Sequence, residues 1–118
     1  MYLRCLLVDD SARFLEAAWT LLERQGVTVV GAASTGAEAY PLAARLVPDV
    51  ILLDIGLLHE SGFDVAAQLA RTTSAAVILI STHSLEDFEE LISESPARGF
   101  VPKSALSATA IREVLGAS

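Results

Sequence analysis

The chain has little that would mark a secreted, membrane-bound or nucleic-acid-binding protein. One of its 118 residues is cysteine, so no disulfide framework can form within it. Cys5 lies in an apolar run and reads as a small core hydrophobe in a reducing compartment rather than as a reactive thiol. No apolar run approaches the ~20 residues a membrane span needs. The opening "MYLRCLLV" is too short for a signal peptide and lacks its basic flank and cleavage pattern. Basic residues are few: eight Lys and Arg stand against fifteen Asp and Glu, a formal net charge of −7. Phosphate backbones demand basic patches, so no direct nucleic acid binding is expected. No glycine-rich phosphate loop opens the first helix, where "VDDSARF" stands instead, and this speaks against a bound nucleotide. His59 and His83 have no metal-ligand partner at useful spacing, and His59 reads as a solvated loop residue. The expectation is one acidic cytoplasmic domain over residues 1–118, long enough for a substantial core.

What the chain has in quantity is apolar surface, 53% of its residues. Strand-like runs at Leu3–Val8, Val27–Ala33, Asp49–Asp54, Ala75–Ser81 and Gly99–Lys103 are rich in Val, Ile and Leu. The middle ones are continuous rather than alternating, the pattern of parallel strands covered on both faces. Five helical segments lie between and after them. Phe14, Leu15, Ala18, Leu21 and Leu22 form an apolar stripe that Gly26 ends. The second segment has Ser34 or Thr35 as cap and Pro48 as stop, with Pro41 predicting a distorted start. A third begins near Gly62, a fourth is "SLEDFEELISES" opened by a Ser84 cap, and the fifth is "SATAIREVLG". Five repeats of β then α predict a doubly wound open α/β sheet.

Ligands of such sheets bind beyond the carboxyl ends of the strands. Strand one ends at Asp9 and Asp10, strand three at Asp54, strand four at Ser81 and Thr82, and strand five at Lys103. Each has a simpler reading alone: Asp10 or Ser11 as a helix cap, Asp54 as a turn residue, Ser81 as another cap, Lys103 as a solvated charge. Their convergence on one edge is what those readings leave unexplained. Carboxylates about 5 Å apart repel by about 3 kcal/mol per pair at an effective dielectric near 20, which calls for a cation. Oxygen-only ligands favour a hard ion such as Mg²⁺ that also touches phosphate. A carboxylate beside such an ion can attack a phosphoryl group and form an acyl phosphate.

The motifs "VDDS" (Val8–Ser11), "DVILLDIGLLHESGFD" (Asp49–Asp64), "VILIST" (Val77–Thr82) and "GFVPKS" (Gly99–Ser104) resemble those of the receiver domains of two-component response regulators. The likeness covers essentially the whole chain, and its strand-five style is similar to receivers that precede helix-turn-helix domains. The resemblance implies a flavodoxin-like (βα)5 three-layer sandwich with strand order 2-1-3-4-5. It further implies Asp54 as phosphoacceptor, with Mg²⁺ (or Mn²⁺) held by Asp9, Asp10, Asp54 and the backbone carbonyl of Gly56. By the same resemblance Ser81 is the switch hydroxyl, Lys103 the phosphate's partner and Phe100 the switch aromatic. A sensor histidine kinase or phosphotransfer protein would donate the phosphoryl group. The face formed by helix four, strand five and helix five would carry the output and a possible homodimer contact.

Three positions depart from the family's usual pattern. Leu57 and Leu58 stand where Met-Pro is common, which predicts a loop with a less rigid middle ending at Gly62. Ser104 follows Lys103 where proline is frequent. The peptide is often cis there, and a non-proline cis bond costs about 2.5–4 kcal/mol, so either isomer is open. Gly56 and His83 flank the site, and we expect them to tune the lifetime of the phosphate. Phe14, Trp19 and Phe88 read as packing residues, although kinases of this family dock near helix one. The chain's end at "REVLGAS" leaves no room for a DNA-binding domain, predicting a single-domain regulator or a receiver cut from a longer one. Alternatives from other classes are an unphosphorylated interaction module and an aspartyl phosphohydrolase. Such a hydrolase would usually carry a second acid at the position held by Gly56.

Overall fold

The computed structural model describes residues 2–116. Five β–α units succeed one another: β1 (Arg4–Val8), α1 (Ala12–Arg24), β2 (Thr28–Ala33), α2 (Gly36–Leu46), β3 (Val50–Asp54), α3 (Gly62–Thr72), β4 (Ala76–Ser81), α4 (Glu89–Glu94), β5 (Gly99–Pro102) and α5 (Ala108–Gly116). The strands form one parallel sheet in the order β2-β1-β3-β4-β5, as expected. The order reverses between β1 and β3, which puts the carboxyl ends of those two strands at the switch point.

The continuous apolar strands follow from burial on both faces. Along β1, Cys5 and Leu7 face a core with Ala18 and Leu22 of α1 and Ala108 and Ile111 of α5. Leu6 and Val8 face the other side, where Ala39 and Ala43 of α2 and Val65, Ala66 and Leu69 of α3 pack. The same alternation runs through β3 and β4, so Leu52 and Ile78 belong to the first core and Leu53 and Leu79 to the second. Each such fully buried side chain contributes about 1.5–3 kcal/mol relative to exposure. Cys5 is among them, and burial pushes its thiol up to about 12, leaving it inert at neutral pH.

Helix boundaries follow local chemistry. The Ser11 hydroxyl accepts from the Phe14 N–H at 3.2 Å and caps α1, and Gly26, at φ +87°, turns the chain after its end. Thr35, not Ser34, caps α2, while the Glu38 carboxylate reaches back to the Ser34 N–H at 2.8 Å. Helix α2 continues through Pro41, so the expected distortion does not interrupt it. It ends on Val47, a β-branched residue at φ +47°. Pro48 follows.

The fourth helical segment departs from expectation. It is a 3₁₀ turn over Leu85–Asp87 followed by the six-residue α4, and the Ser84 side chain caps neither. Neither piece buries a residue; only Phe88 and Ile92 pack partly against the second core. Trp19 also departs, standing 38% exposed on α1. Strand β5 stops at Pro102, and Lys103 opens a second 3₁₀ turn. No helix among the described residues is long and apolar enough to cross a membrane.

Candidate functional site

The acids that end β1 and β3 meet because those strands are neighbours in register, Val8 opposite Leu53. Asp9 is completely buried, anchored by its N–H to the Ala33 carbonyl at 3.0 Å. Its Oδ1 accepts from the Ser11 N–H at 2.8 Å. Asp54 is 6% exposed and Asp10 faces solvent, yet one oxygen of each of the three carboxylates lies within 4.8 Å of the others. The adjacency in "VDDS" thus gives one inward and one outward acid at a single strand end.

Lys103, the only lysine of the chain, faces this cluster. Its Nζ lies 2.6 Å from Asp9 Oδ2 and 3.7 Å from Asp54 Oδ1. The ammonium also stands 4.4 Å from the centroid of the Phe14 ring, a cation–π contact that supports it from α1. That role for Phe14 was not legible in the sequence, where it read only as part of an apolar stripe. Asp9 Oδ2 is buried, and its one close polar neighbour among the described residues is the Lys103 ammonium. Among the described residues, three carboxylates against one ammonium leave an excess of two negative charges at the site. Burial first, and then the Asp9 charge, raise the Asp54 carboxyl above its ordinary value. Lys103 and the Gly56 N–H, 3.3 Å from Asp54 Oδ1, oppose this rise without cancelling it.

A second wall comes from β4. Ser81 is 3% exposed, and its Oγ accepts from the His83 N–H at 3.0 Å, which leaves its own O–H free to donate. Ser81, Thr82, His83, Asp54, Gly56 and Lys103 line a cleft of about 480 Å³, whose outer side is apolar: Phe63, Phe88 and Leu91. His83 is exposed and stands edge-on to Phe88 at 5.8 Å, and Phe88 in turn meets Phe63 at 6.3 Å. Gly56 borders open space, with nothing within 4 Å of where a side chain would begin. Phe100 is half-buried against the second core and borders a separate groove of about 330 Å³ with Pro102, Ala110 and Val114. His59 is exposed on the β3–α3 loop, as expected.

Two further expectations resolve here. No peptide bond among the described residues is cis, so Lys103–Ser104 is trans. The β3–α3 loop is tied at its middle as well as at its end: Leu57 is 7% exposed in the second core, and the Glu60 carboxylate accepts from the Gly36 N–H at 2.8 Å. The less rigid middle expected from the missing Met-Pro is therefore not what the contacts describe.

The donor set fits a hard divalent cation. It is all oxygen, its three carboxylates outnumber the one ammonium beside them among the described residues, and it includes a buried carboxylate oxygen, Asp9 Oδ2, whose close polar neighbour is that ammonium.

The model of the response regulator receiver domain matches residues 5–115. A protein-glutamate methylesterase/protein-glutamine glutaminase of Methanospirillum hungatei is 37% identical over 90 residues, which are 75% of this chain and 25% of that protein. The transcriptional regulatory protein LiaR of Bacillus subtilis is 35% identical over 86 residues, 72% of this chain and 41% of LiaR. The chain thus spans less than half the length of these curated relatives. Among solved structures, the signal receiver domain of the response regulator NarL from Mycobacterium tuberculosis superposes with a TM-score of 0.81 at 29% identity, covering 98% of both chains. The two-component response regulator of the LuxR family from Aurantimonas superposes at 0.84 with 27% identity, covering 98% of this chain and 84% of that one. Family match, relatives and fold agree, and the chain belongs to the receiver domains of two-component response regulators, modules that signal through phosphorylation.

Proposed function

We propose that residues 1–118 act as a Mg²⁺-dependent switch whose phosphoacceptor is Asp54. The observation that carries this reading is the meeting of Asp9, Asp10 and Asp54 within 4.8 Å, faced by the ammonium of Lys103. Asp9, Asp10, Asp54 and the Gly56 carbonyl would hold the metal, and Mn²⁺ suits the same ligands. When bound, the ion supplies charge neutralisation at the phosphoryl oxygens.

The donor is the phospho-histidine of a sensor kinase or phosphotransfer protein. An Asp54 carboxylate oxygen attacks phosphorus, the P–N bond breaks, and the imidazole nitrogen keeps the electron pair and takes up a proton. The phosphoryl group brings about −1.5 to −2 charge into a site that is already acidic. Lys103 and the Ser81 O–H, both lining the cleft beside Asp54, would bond its oxygens. Ser81 ends β4 and Lys103 opens the turn after β5, so their movement would draw on the turns that follow those strands. Phe100 would answer by turning inward and reshape the face of α4, β5 and α5, through which the protein signals or pairs with a second copy. Hydrolysis by water at phosphorus ends the signal, and we assign Gly56 and His83 to its timing. The open space at Gly56 admits water, and His83 stands at the cleft's mouth.

Kinase-coupled signalling of this kind belongs in the cytoplasm, and the net charge of −7 argues against direct nucleic acid contact by these residues. A second reading, a receiver governing a DNA-binding output, is favoured by the similarity to LiaR and to the LuxR-family regulator. Incubation with Mg²⁺ and acetyl phosphate, or with beryllofluoride, should give an adduct on Asp54 that the Asp54→Asn variant lacks. Absence of any adduct at every metal concentration would favour a non-phosphorylated interaction module.

A further inference from the structure

The loop from β3 to α3 carries Gly56 and lacks the proline that commonly stiffens it, so its geometry must come from elsewhere. Its far end is fixed by Gly62, whose N–H donates to the Ile55 carbonyl at 2.9 Å. A Cβ at Gly62 would lie 2.3 Å from the Asp54 carbonyl oxygen, so only glycine fits this approach. Its exposed middle, Leu58 and His59, touches no core. Beside Gly56, Leu57 is anchored in the second core, and the side-chain tie to a neighbouring loop is Glu60, which reaches across to the first turn of α2.

That contact is built on both sides. Gly36 is buried, and a Cβ there would fall 2.8 Å from Glu60 Oε1 and 3.0 Å from both the Tyr40 hydroxyl and Val65 Cγ2. The missing side chain therefore forms a socket that the Glu60 carboxylate occupies, with Oε2 accepting from the Gly36 N–H. A carboxylate is favoured at this positive helix end. The helix has its own caps already, since Thr35 Oγ1 accepts from the Glu38 N–H at 3.1 Å and Glu38 from the Ser34 N–H at 2.8 Å. What Glu60 adds is a bond between the β2–α2 and β3–α3 loops. The cleft these two loops enclose, about 210 Å³, is also lined by Asp10.

We infer that Glu60 is a positioning residue for the metal site: seated in the Gly36 socket, it holds the loop bearing Gly56 at a fixed distance from Asp9 and Asp10. The inference rests on the Mg²⁺-dependent reading above. It replaces backbone stiffness in this loop with a side-chain tie between two loops.

Three variants test it: Glu60→Ala, Glu60→Gln and Gly36→Ala. Mg²⁺ affinity is read by calorimetric titration without any phosphodonor, and loop order by amide hydrogen exchange across residues 56–61. Glu60→Ala should weaken Mg²⁺ binding about tenfold, the usual scale for a lost supporting contact, and speed exchange in the loop. Glu60→Gln keeps an oxygen acceptor and should stay within about twofold of wild type. Gly36→Ala keeps the carboxylate but fills its socket, and should behave like Glu60→Ala. Faster exchange with unchanged Mg²⁺ affinity in Glu60→Ala makes Glu60 a helix cap only and overturns the inference. Equal weakening in Glu60→Gln and Glu60→Ala makes it a matter of charge and overturns it too. Wild-type protein that binds no Mg²⁺ overturns the reading beneath, and the inference with it.

Discussion

Replacing Lys103 by methionine keeps most of the length of the side chain and removes the one positive charge that, among the described residues, pairs with the acid cluster. The contacts at 2.6 Å to Asp9 and 3.7 Å to Asp54 correspond to gross attractions of about 6 and about 4–5 kcal/mol at an effective dielectric near 20. Desolvation of the ammonium, whose side chain is 14% exposed, offsets part of this. Losing one partner of a buried ion pair costs about 3–5 kcal/mol, chiefly because the other charge is left alone. Asp9 is that other charge, and without the ammonium its buried Oδ2 has no close polar neighbour among the described residues. A loss near the low end, about 3 kcal/mol, is expected in chelator, because Lys103 is not fully enclosed and its own desolvation is relieved. For a chain of this size that lowers the melting midpoint by about 12 °C. A ligand that binds only the folded state adds about 2.7 kcal/mol at a hundred times its Kd to either protein, and millimolar Mg²⁺ should narrow the gap because the variant, with no ammonium competing for Asp9, binds the ion more tightly. Urea denaturation of both proteins, in chelator and in Mg²⁺, reads these quantities directly. A loss below about 1 kcal/mol in chelator, the level of an exposed ion pair, would refute the reasoning. So would a gap that Mg²⁺ fails to narrow.

Asp54 should make the metal-free protein less stable as pH rises. Its folded-state carboxyl sits above the ordinary value of 3.8, so its contribution is fully present below that pH and is lost as pH climbs through the raised value. The Asp54→Asn variant should therefore be the more stable of the two at pH 7 in chelator, with the difference vanishing near pH 3; a difference independent of pH refutes this. Removal of the His83 ring from the cleft's mouth should admit water and speed loss of the phosphoryl group roughly threefold in His83→Ala. An unchanged rate removes His83 from the account, and a slower one makes it a water-orienting group. Val47, exposed and β-branched at φ +47°, should be improved by glycine: Val47→Gly is expected to gain about 0.5–1 kcal/mol in denaturant titration, and a loss would mean the strain lies elsewhere.

The sheet was readable because its central strands are buried on both faces, which forces uninterrupted runs such as "VILLD" and "AVILIS". The acids were readable for a related reason, since a charge directly after such a run must lie at the sheet's edge. Where packing weakens, the sequence signal weakens with it. The segment from Ser84 to Glu94 carries acids and leucines at helical spacing, but Leu85 and Leu91 point to solvent, and no core fixes one continuous helix there. On α1 the stripe was broadly right, yet Leu21 and Trp19 lie at its margin, 37% and 38% exposed and outside both cores. Phe14 beneath Lys103 and Glu60 against Gly36 could not be read from local pattern, because each partner comes from a distant β–α unit.

The thin attachment of α4 has a consequence for how such a protein can change over generations. Substitutions in the two cores or around Gly62 disturb strands, helices and the phosphoacceptor's own backbone together. Substitutions over Leu85–Glu94 meet only Phe88 and Ile92 as fixed points, and every other side chain there is free to alter with little loss of fold stability. A lineage could therefore exchange the acidic character of this segment for another and acquire a new listener while the acid cluster, Ser81 and Lys103 stay as they are.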